Sequence, residues 1–84
     1  MNSQIARTPT QIGEAIRRRR KALHLTQMAL GNKARLRQAT ISDLETGEPG
    51  TELRTLLDVL ATLELELLIR PRTKASASDI EAAF

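Results

Sequence analysis

The apolar residues of this chain recur every three or four positions in four short segments, and this spacing is the strongest constraint on the fold. It is typical of amphipathic helices that turn one apolar stripe toward a shared core. Thr8, Pro9 and Gln11 predict the start of the first helix, with a capping residue, a proline in the first turn and a capping box. The predicted helices are Pro9 to about Leu23, a second capped by Thr26 and ending near Ala34, Gln38 to Thr46, and a fourth capped by Thr51 and ending near Leu63.

The expected core is aliphatic, because Phe84 is the only aromatic residue. Leucine and isoleucine suit packed helices better than a β-sandwich, so the expected fold class is all-α. The predicted core positions along the four helices are Ile12, Ala15, Ile16, Ala22, Leu23, Leu30, Gly31, Ala34, Ile41, Leu44, Leu53, Leu56, Leu57, Leu60 and Leu63.

After the fourth helix the apolar spacing changes from the helical period to a period of two. Leu65, Leu67 and Ile69 share one face of a segment that ends at Pro71, and this alternation predicts a β-strand within residues 64–71. A single strand on a small helical domain leaves its backbone groups unpaired. The simplest partner is the same strand of a second copy, so we expect a homodimer.

Charge is divided unevenly along the chain, whose net charge is +3. Residues 1–50 carry a net charge of +5, and residues 51–84 carry −2. A basic half joined to a mildly acidic half favours a polyanion on one face and a protein contact on another.

The residue types that most enzymes need are missing. The chain has no cysteine and a single histidine, His24, which excludes disulfides, thiolate metal sites and histidine metal clusters. It also lacks a nucleophile–base pair and a glycine-rich phosphate loop, so we expect neither an enzyme nor a cofactor. No apolar stretch is long enough to span a bilayer, and no apolar signal region opens the sequence. The expected location is the cytoplasm, in association with the nucleoid.

Two short helices joined by a turn of three or four residues define a helix-turn-helix, whose second helix enters the major groove of DNA. Residues 25–27, Leu30 and residues 36–47 resemble the Cro/CI-type (Xre) helix-turn-helix family, over roughly residues 12–63. The resemblance implies a four-helix, lambda-repressor-like domain. Within that family, residues 9–11, 38–42 and 63–65 resemble HipB-type antitoxins of HipA kinase toxin–antitoxin modules.

The start of the third helix carries the predicted base-reading residues. Gln38 suits a bidentate contact to adenine, and Arg37 suits guanine or a phosphate. Ala39 and Thr40 are small enough to touch a thymine methyl, and Ser42 suits a base edge or a phosphate. The bland alternative is a solvated polar helix face. Which residue reads which base stays open.

The remaining site assignments come from the start of the second helix and from the resemblance. Thr26 is a cap first and a phosphate donor second, because free N–H groups at helix starts favour anions. The resemblance implies that Gln27 contacts a phosphate and fixes Gln38. It also implies that Arg20 pairs with Glu45, tying the first helix to the third, within a basic run of residues 17–21 that otherwise contacts DNA backbone or solvent.

The resemblance further implies a homodimer that represses its own operon at palindromic operators and binds a kinase toxin, with Phe84 as a candidate toxin contact. The expected organisation is a flexible arm at residues 1–7, a DNA-binding domain at residues 8–63, a dimerisation strand at residues 64–71 and a flexible tail at residues 72–84. Open alternatives are an antitoxin for another toxin, a stand-alone phage-type repressor, and an adaptor domain that binds only proteins.

Overall fold

The computed structural model describes residues 3–73, and its four α-helices confirm the predicted all-α domain. The helices are α1 (Pro9–Ala22), α2 (Gln27–Ala34), α3 (Gln38–Thr46) and α4 (Leu53–Thr62). α3 packs against both α1 and α2, and α4 packs against α2. No helix among the described residues has the length and apolar character that a membrane crossing requires.

Threonine side chains fix the starts of α1 and α2, as predicted. The Thr8 hydroxyl accepts a hydrogen bond from the Gln11 backbone N–H at 3.1 Å. Gln11 reaches back one residue further than a simple capping box, because its Oε1 accepts from the Arg7 N–H at 2.6 Å. The Thr26 hydroxyl accepts from the Ala29 N–H at 3.0 Å. Each bond satisfies an N–H group that the helix itself leaves unpaired.

The predicted cap of α4 is wrong by one residue. Glu52, not Thr51, is the N-cap, because its carbonyl accepts the first helical bond from the Leu56 N–H at 3.1 Å. No side chain caps this end of α4. The glutamate carboxylate still suits the position, since negative charge is favourable beside the first turn of a helix.

The core consists of Ile16, Leu30, Ile41, Leu44, Val59 and Leu63. Four predicted core residues are instead exposed, namely Ala22, Leu23, Leu53 and Leu57. In α1 the buried face follows Gly13, Ile16 and Arg20, which leaves the last turn outside. In α4 the fully buried residue is Val59, which lies one helical turn from both Leu56 and Leu63, whereas Leu53 and Leu57 lie at the edge of that face.

Two glycines allow the helices to approach one another closely. A Cβ at Gly13 would lie 2.5 Å from the carbonyl oxygen of Leu44 and would also clash with that of Glu45, so α1 meets the backbone of α3 there. A Cβ at Gly31 would lie 2.7 Å from the carbonyl oxygen of Leu36. Gly31 is buried as the sequence pattern predicts, and the structure adds a steric role for it in the turn between α2 and α3.

The turn between α2 and α3 is held in a conformation that costs free energy. Arg35 closes α2 with φ 59° and ψ 44°, the left-handed region that glycine usually occupies. The Leu36 N–H then donates to the Gly31 carbonyl at 2.8 Å, which satisfies the end of the helix. Because Arg35 carries a Cβ, it is strained in this left-handed conformation.

The segment after α4 is extended away from the core. Glu64 adopts φ 58°, and the Leu65 N–H donates to the Leu60 carbonyl at 2.7 Å, which places Leu65 against the core. Leu67, Leu68 and Ile69 follow with 53%, 74% and 89% of their surface exposed. Residues 3–73 contain no strand, so the β-strand predicted within residues 64–71 is not formed in a single copy.

Candidate nucleic-acid interface

The predicted DNA-contacting residues lie at two helix starts and along one face of α3. Thr26 caps α2, and Gln27 is its first residue. Arg37 is the N-cap residue of α3 and Gln38 its first residue. Thr26, Arg37, Gln38 and Ala39 are exposed, and Gln27, Thr40 and Ser42 are half-buried.

α3 has an outer and an inner face. Ile41, Leu44 and Glu45 are buried against the rest of the domain. Arg37, Gln38 and Ala39 are exposed on the remaining surface of the helix start, and Ser42 is half-buried at its edge. None of the side-chain hydrogen bonds found among residues 3–73 involves Arg37, Gln38 or Ser42. Their donors and acceptors are thus available to a ligand that meets the outer face.

The two helix starts add backbone donors to this surface. The Thr26 hydroxyl satisfies the Ala29 N–H, which leaves the earlier N–H groups of α2 without a helical partner. Arg37 provides no side-chain cap for α3, so the first N–H groups of α3 also lack a partner within the helix. Free N–H groups and the positive ends of two helix dipoles favour an anion such as a phosphate.

A buried ion pair connects α1 to α3 behind this surface. Arg20 and Glu45 are 8% and 7% exposed. The Arg20 Nε donates to Glu45 Oε2 at 2.6 Å, and Nη2 donates to Oε1 at 3.0 Å. The Arg20 Nη1 donates to the Leu25 carbonyl at 2.8 Å. The hydrogen bonds to Glu45 raise the pKa of Arg20 above its ordinary value, although burial acts in the opposite direction. The structure therefore contains the Arg20–Glu45 contact that the resemblance implied.

Gln27 is bonded to the ion pair and not to Gln38. Its Nε2 donates to Glu45 Oε1 at 3.2 Å, whereas the family resemblance implied that Gln27 fixes Gln38. Sequence reasoning missed this contact, because the residues are 18 positions apart and neither helix pattern marks the pairing.

The basic run at residues 17–21 has divided roles. Arg20 forms the buried ion pair. Arg19 is half-buried, and its Nε donates to the Leu63 carbonyl at 3.0 Å, at the end of α4. Arg19 also lies 3.9 Å from the exposed carboxylate of Glu64. The other three members, Arg17, Arg18 and Lys21, are exposed and line a shallow groove on α1 with Glu14.

The remaining site predictions fall on the other end of the chain. Leu65, Leu67 and Ile69 follow α4, and only Leu65 packs against the core. Phe84, the candidate toxin contact, lies outside the described residues.

Two short helices packed together and joined by a three-residue turn define a helix-turn-helix DNA-binding protein. The helix-turn-helix family matches residues 16–69. Antitoxin HipB of Escherichia coli (strain K12) is 33% identical over 81 residues, which are 96% of this chain and 92% of that protein. The chain belongs to the HipB-type antitoxins of the Xre-type helix-turn-helix family, a family of DNA-binding proteins and not of enzymes.

Two solved structures are similar along most of the fold. One is a complex of a HipB variant with an O2 20mer, with a TM-score of 0.79, 32% identity and coverage of 86% of this chain and 100% of that chain. The other is a HipA-HipB-O2-O3 complex, with a TM-score of 0.77, 32% identity and coverage of 84% and 100%.

Proposed function

We propose that this chain is a homodimeric antitoxin that binds palindromic operator DNA, represses its own operon and binds a HipA-like kinase toxin. The observation that carries the DNA-binding function is the open face formed by the starts of α2 and α3. Its polar side chains and backbone donors suit a double helix, and no groove or metal cluster among the described residues suggests catalysis. The relatives support the same function, since HipB occurs in complexes with HipA and with O2 and O3.

Within this proposal, α2 meets the DNA backbone. Thr26 and Gln27 stand at its start, beside N–H groups that favour phosphate. Such contacts position a protein on the duplex without reading its sequence.

α3 reads the bases. Arg37 and Gln38 present long side chains with several donors at the start of the helix, and Ala39, Thr40 and Ser42 supply small groups behind them. Arginine and glutamine can each make two hydrogen bonds to one purine, which is the chemistry of direct readout in the major groove.

The dimer forms through residues 64–71, which pair as antiparallel strands of two copies. Exposed apolar side chains in this segment support the proposal, and in a paired strand Leu67 and Ile69 would share a face with Leu65. A two-fold axis then presents two copies of α3 to successive major grooves, about 10 base pairs apart or a multiple of that spacing. The toxin contact is assigned to the tail from residue 72 onward, with Phe84 as its apolar anchor, and the site of action is the cytoplasm, at the nucleoid.

The decisive experiment measures DNA affinity of the full chain for the duplex that precedes its own coding sequence and for a scrambled duplex. We expect Arg37→Ala and Gln38→Ala each to cost about 1–3 kcal/mol on the first duplex and to relax the preference at one position of each half-site. Arg54→Ala is the matched control, since Arg54 is an exposed arginine on α4 outside the proposed interface.

Equal weakening on both duplexes would show that Arg37 and Gln38 contact only phosphate. Binding without a steep dependence on salt would contradict a DNA interface altogether, because phosphate contacts release counterions. The toxin is tested separately by purifying the chain from its native cell, where we expect a kinase to accompany it. A partner of another kind would replace the HipA-like assignment and leave the DNA-binding function in place.

A further inference from the structure

We infer that Glu45, held by Arg20, positions Gln27 for its contact with DNA. The ion pair is thus more than a tie between α1 and α3, and both of its members are positioning residues for DNA binding. The inference rests on the proposed function, because it concerns how the start of α2 meets a phosphate.

One carboxylate oxygen joins the ion pair to the interface. Glu45 Oε1 accepts from Arg20 Nη2 at 3.0 Å and from Gln27 Nε2 at 3.2 Å. Glu45 Oε2 accepts from Arg20 Nε at 2.6 Å, so the carboxylate is held at both oxygens and cannot rotate away from Gln27 without losing a bond. Arg20 also holds the Leu25 carbonyl, two residues before Gln27. The same guanidinium therefore fixes both the acceptor of Gln27 and the backbone that leads into α2.

The chemistry of the two side chains determines which way the amide of Gln27 faces. A carboxylate only accepts hydrogen bonds, whereas a glutamine amide has two N–H donors on nitrogen and an acceptor on oxygen. Glu45 thus selects the orientation with the amide nitrogen inward, since the opposite orientation would place the Gln27 oxygen against a negative oxygen. One N–H of Gln27 is committed to Glu45, and the second N–H remains for a phosphate oxygen.

A side chain ordered before binding loses less conformational entropy on binding. Immobilising one flexible side chain typically weakens association by about three- to tenfold, and a residue already held in place avoids most of that loss. The candidate contacts divide accordingly. Thr26 and Gln27 of α2 are hydrogen bonded within the domain, whereas the Arg37 and Gln38 side chains have no such bond among residues 3–73. The residues proposed to contact the DNA backbone are ordered before binding, whereas the side chains proposed to read bases can still adapt to the DNA.

A double-mutant cycle between Glu45 and Gln27 tests the inference on the full chain. The probes are the duplex that precedes the coding sequence and a scrambled duplex, under conditions where circular dichroism shows every variant to be folded. We expect Glu45→Gln to weaken binding of both duplexes about three- to tenfold when Gln27 is present. In the Gln27→Ala background the same change should have less than about a twofold effect, because the residue that it positions is gone.

Glu45→Asp covers the case in which Glu45→Gln does not fold. The shorter side chain keeps the charge beside Arg20 and withdraws the carboxylate from Gln27, so the same coupling is expected. A second readout needs no DNA. The side-chain amide signal of Gln27 in ¹H–¹⁵N spectra should shift in Glu45→Asp, and it should stay unchanged in Arg19→Gln.

Arg19→Gln is the matched control, because Arg19 ties α1 to the end of α4 without touching Gln27. It should lower stability and weaken DNA binding less than the Glu45 variants do. Equal effects of the Glu45 variants with and without Gln27, or an equal loss in Arg19→Gln, would overturn the inference. So would an inert Gln27→Ala in a protein whose Arg37→Ala variant loses affinity, an outcome that leaves the proposed function intact. Failure of the unaltered chain to bind either duplex would instead refute the proposed function.

Discussion

The two ends of the domain differ in how much of their apolar surface a single copy buries. Between Pro9 and Thr46, buried side chains, two close backbone approaches and the Arg20–Glu45 ion pair hold α1, α2 and α3 together. From Leu53 onward the chain carries one buried valine and one buried leucine, but it leaves apolar side chains on the outside of α4 and along residues 67–69. Among the described residues, the first region leaves two large apolar side chains exposed, Leu23 and Met28, whereas the second leaves five, a surface that suits the proposed contact with a second copy.

This difference matches the division of charge. The half that contains the helix-turn-helix is basic, and the half that contains the exposed leucines is slightly acidic. Under the proposed function, the region between Pro9 and Thr46 supplies the DNA contacts, and the region from Leu53 onward sets the spacing of two recognition helices on one duplex.

The largest effect is expected from charges placed in the exposed apolar segment that follows α4. Leu67→Lys with Ile69→Lys places two charges on the face shared with Leu65, where each apolar side chain that the dimer covers contributes about 1.5–3 kcal/mol. Because two side chains are lost from each of two copies, we expect the dissociation constant of the dimer to rise by about 10⁴-fold or more, with sedimentation showing a folded monomer.

Glu66→Lys with Leu68→Lys is the matched control on the opposite face of the same segment. It should leave the dimer in place, because successive residues of a strand face opposite sides. If both double variants remain dimeric, the two copies do not meet through residues 64–71, and the comparison between the two regions needs another explanation.

The next effect concerns the ion pair that connects α1 to α3. Arg20→Leu leaves the Glu45 carboxylate buried without its cation, and loss of one partner of a buried pair typically costs about 3–5 kcal/mol. We expect the free energy of unfolding in urea to fall by that amount. Arg18→Leu makes the same change at an exposed position of α1, where about 0.5 kcal/mol or less is expected. Equal losses in the two variants would mean that the ion pair contributes little to holding α1 on α3.

Most of the fold was predictable because its signals are local. Thr8, Thr26 and Gly47 mark helix ends through capping chemistry, and all three end or begin a helix as predicted. The errors arose where packing decides. Spacing alone favoured Leu53 and Leu57 for the core, whereas contact with α2 selects Val59, which the leucine stripe concealed.

For the candidate site, sequence reasoning named residues, whose DNA contacts stay predictions, and it did not find how their side chains connect. The start of α3 follows from its position after the turn, and the Arg20–Glu45 pair was expected through family resemblance. The bond from Gln27 to Glu45 and the bond from Arg19 to Leu63 depend on how helices cross. A sequence pattern describes each helix separately and therefore does not contain them.

The smallest expected effect is a gain in stability at the turn of the helix-turn-helix. Arg35 holds φ 59°, a conformation that costs a residue with a Cβ about 1–2 kcal/mol. Arg35→Gly removes that strain, and the greater freedom of glycine in the unfolded chain offsets part of the gain. We expect the free energy of unfolding to rise by about 0.5–1 kcal/mol. Lys33→Gly, two residues earlier inside α2, should lower it by about the same amount. The turn lies between α2 and α3 and outside the proposed dimer segment, so the dimer dissociation constant should not change in either variant. A change in Arg35→Gly would show that the two regions are coupled.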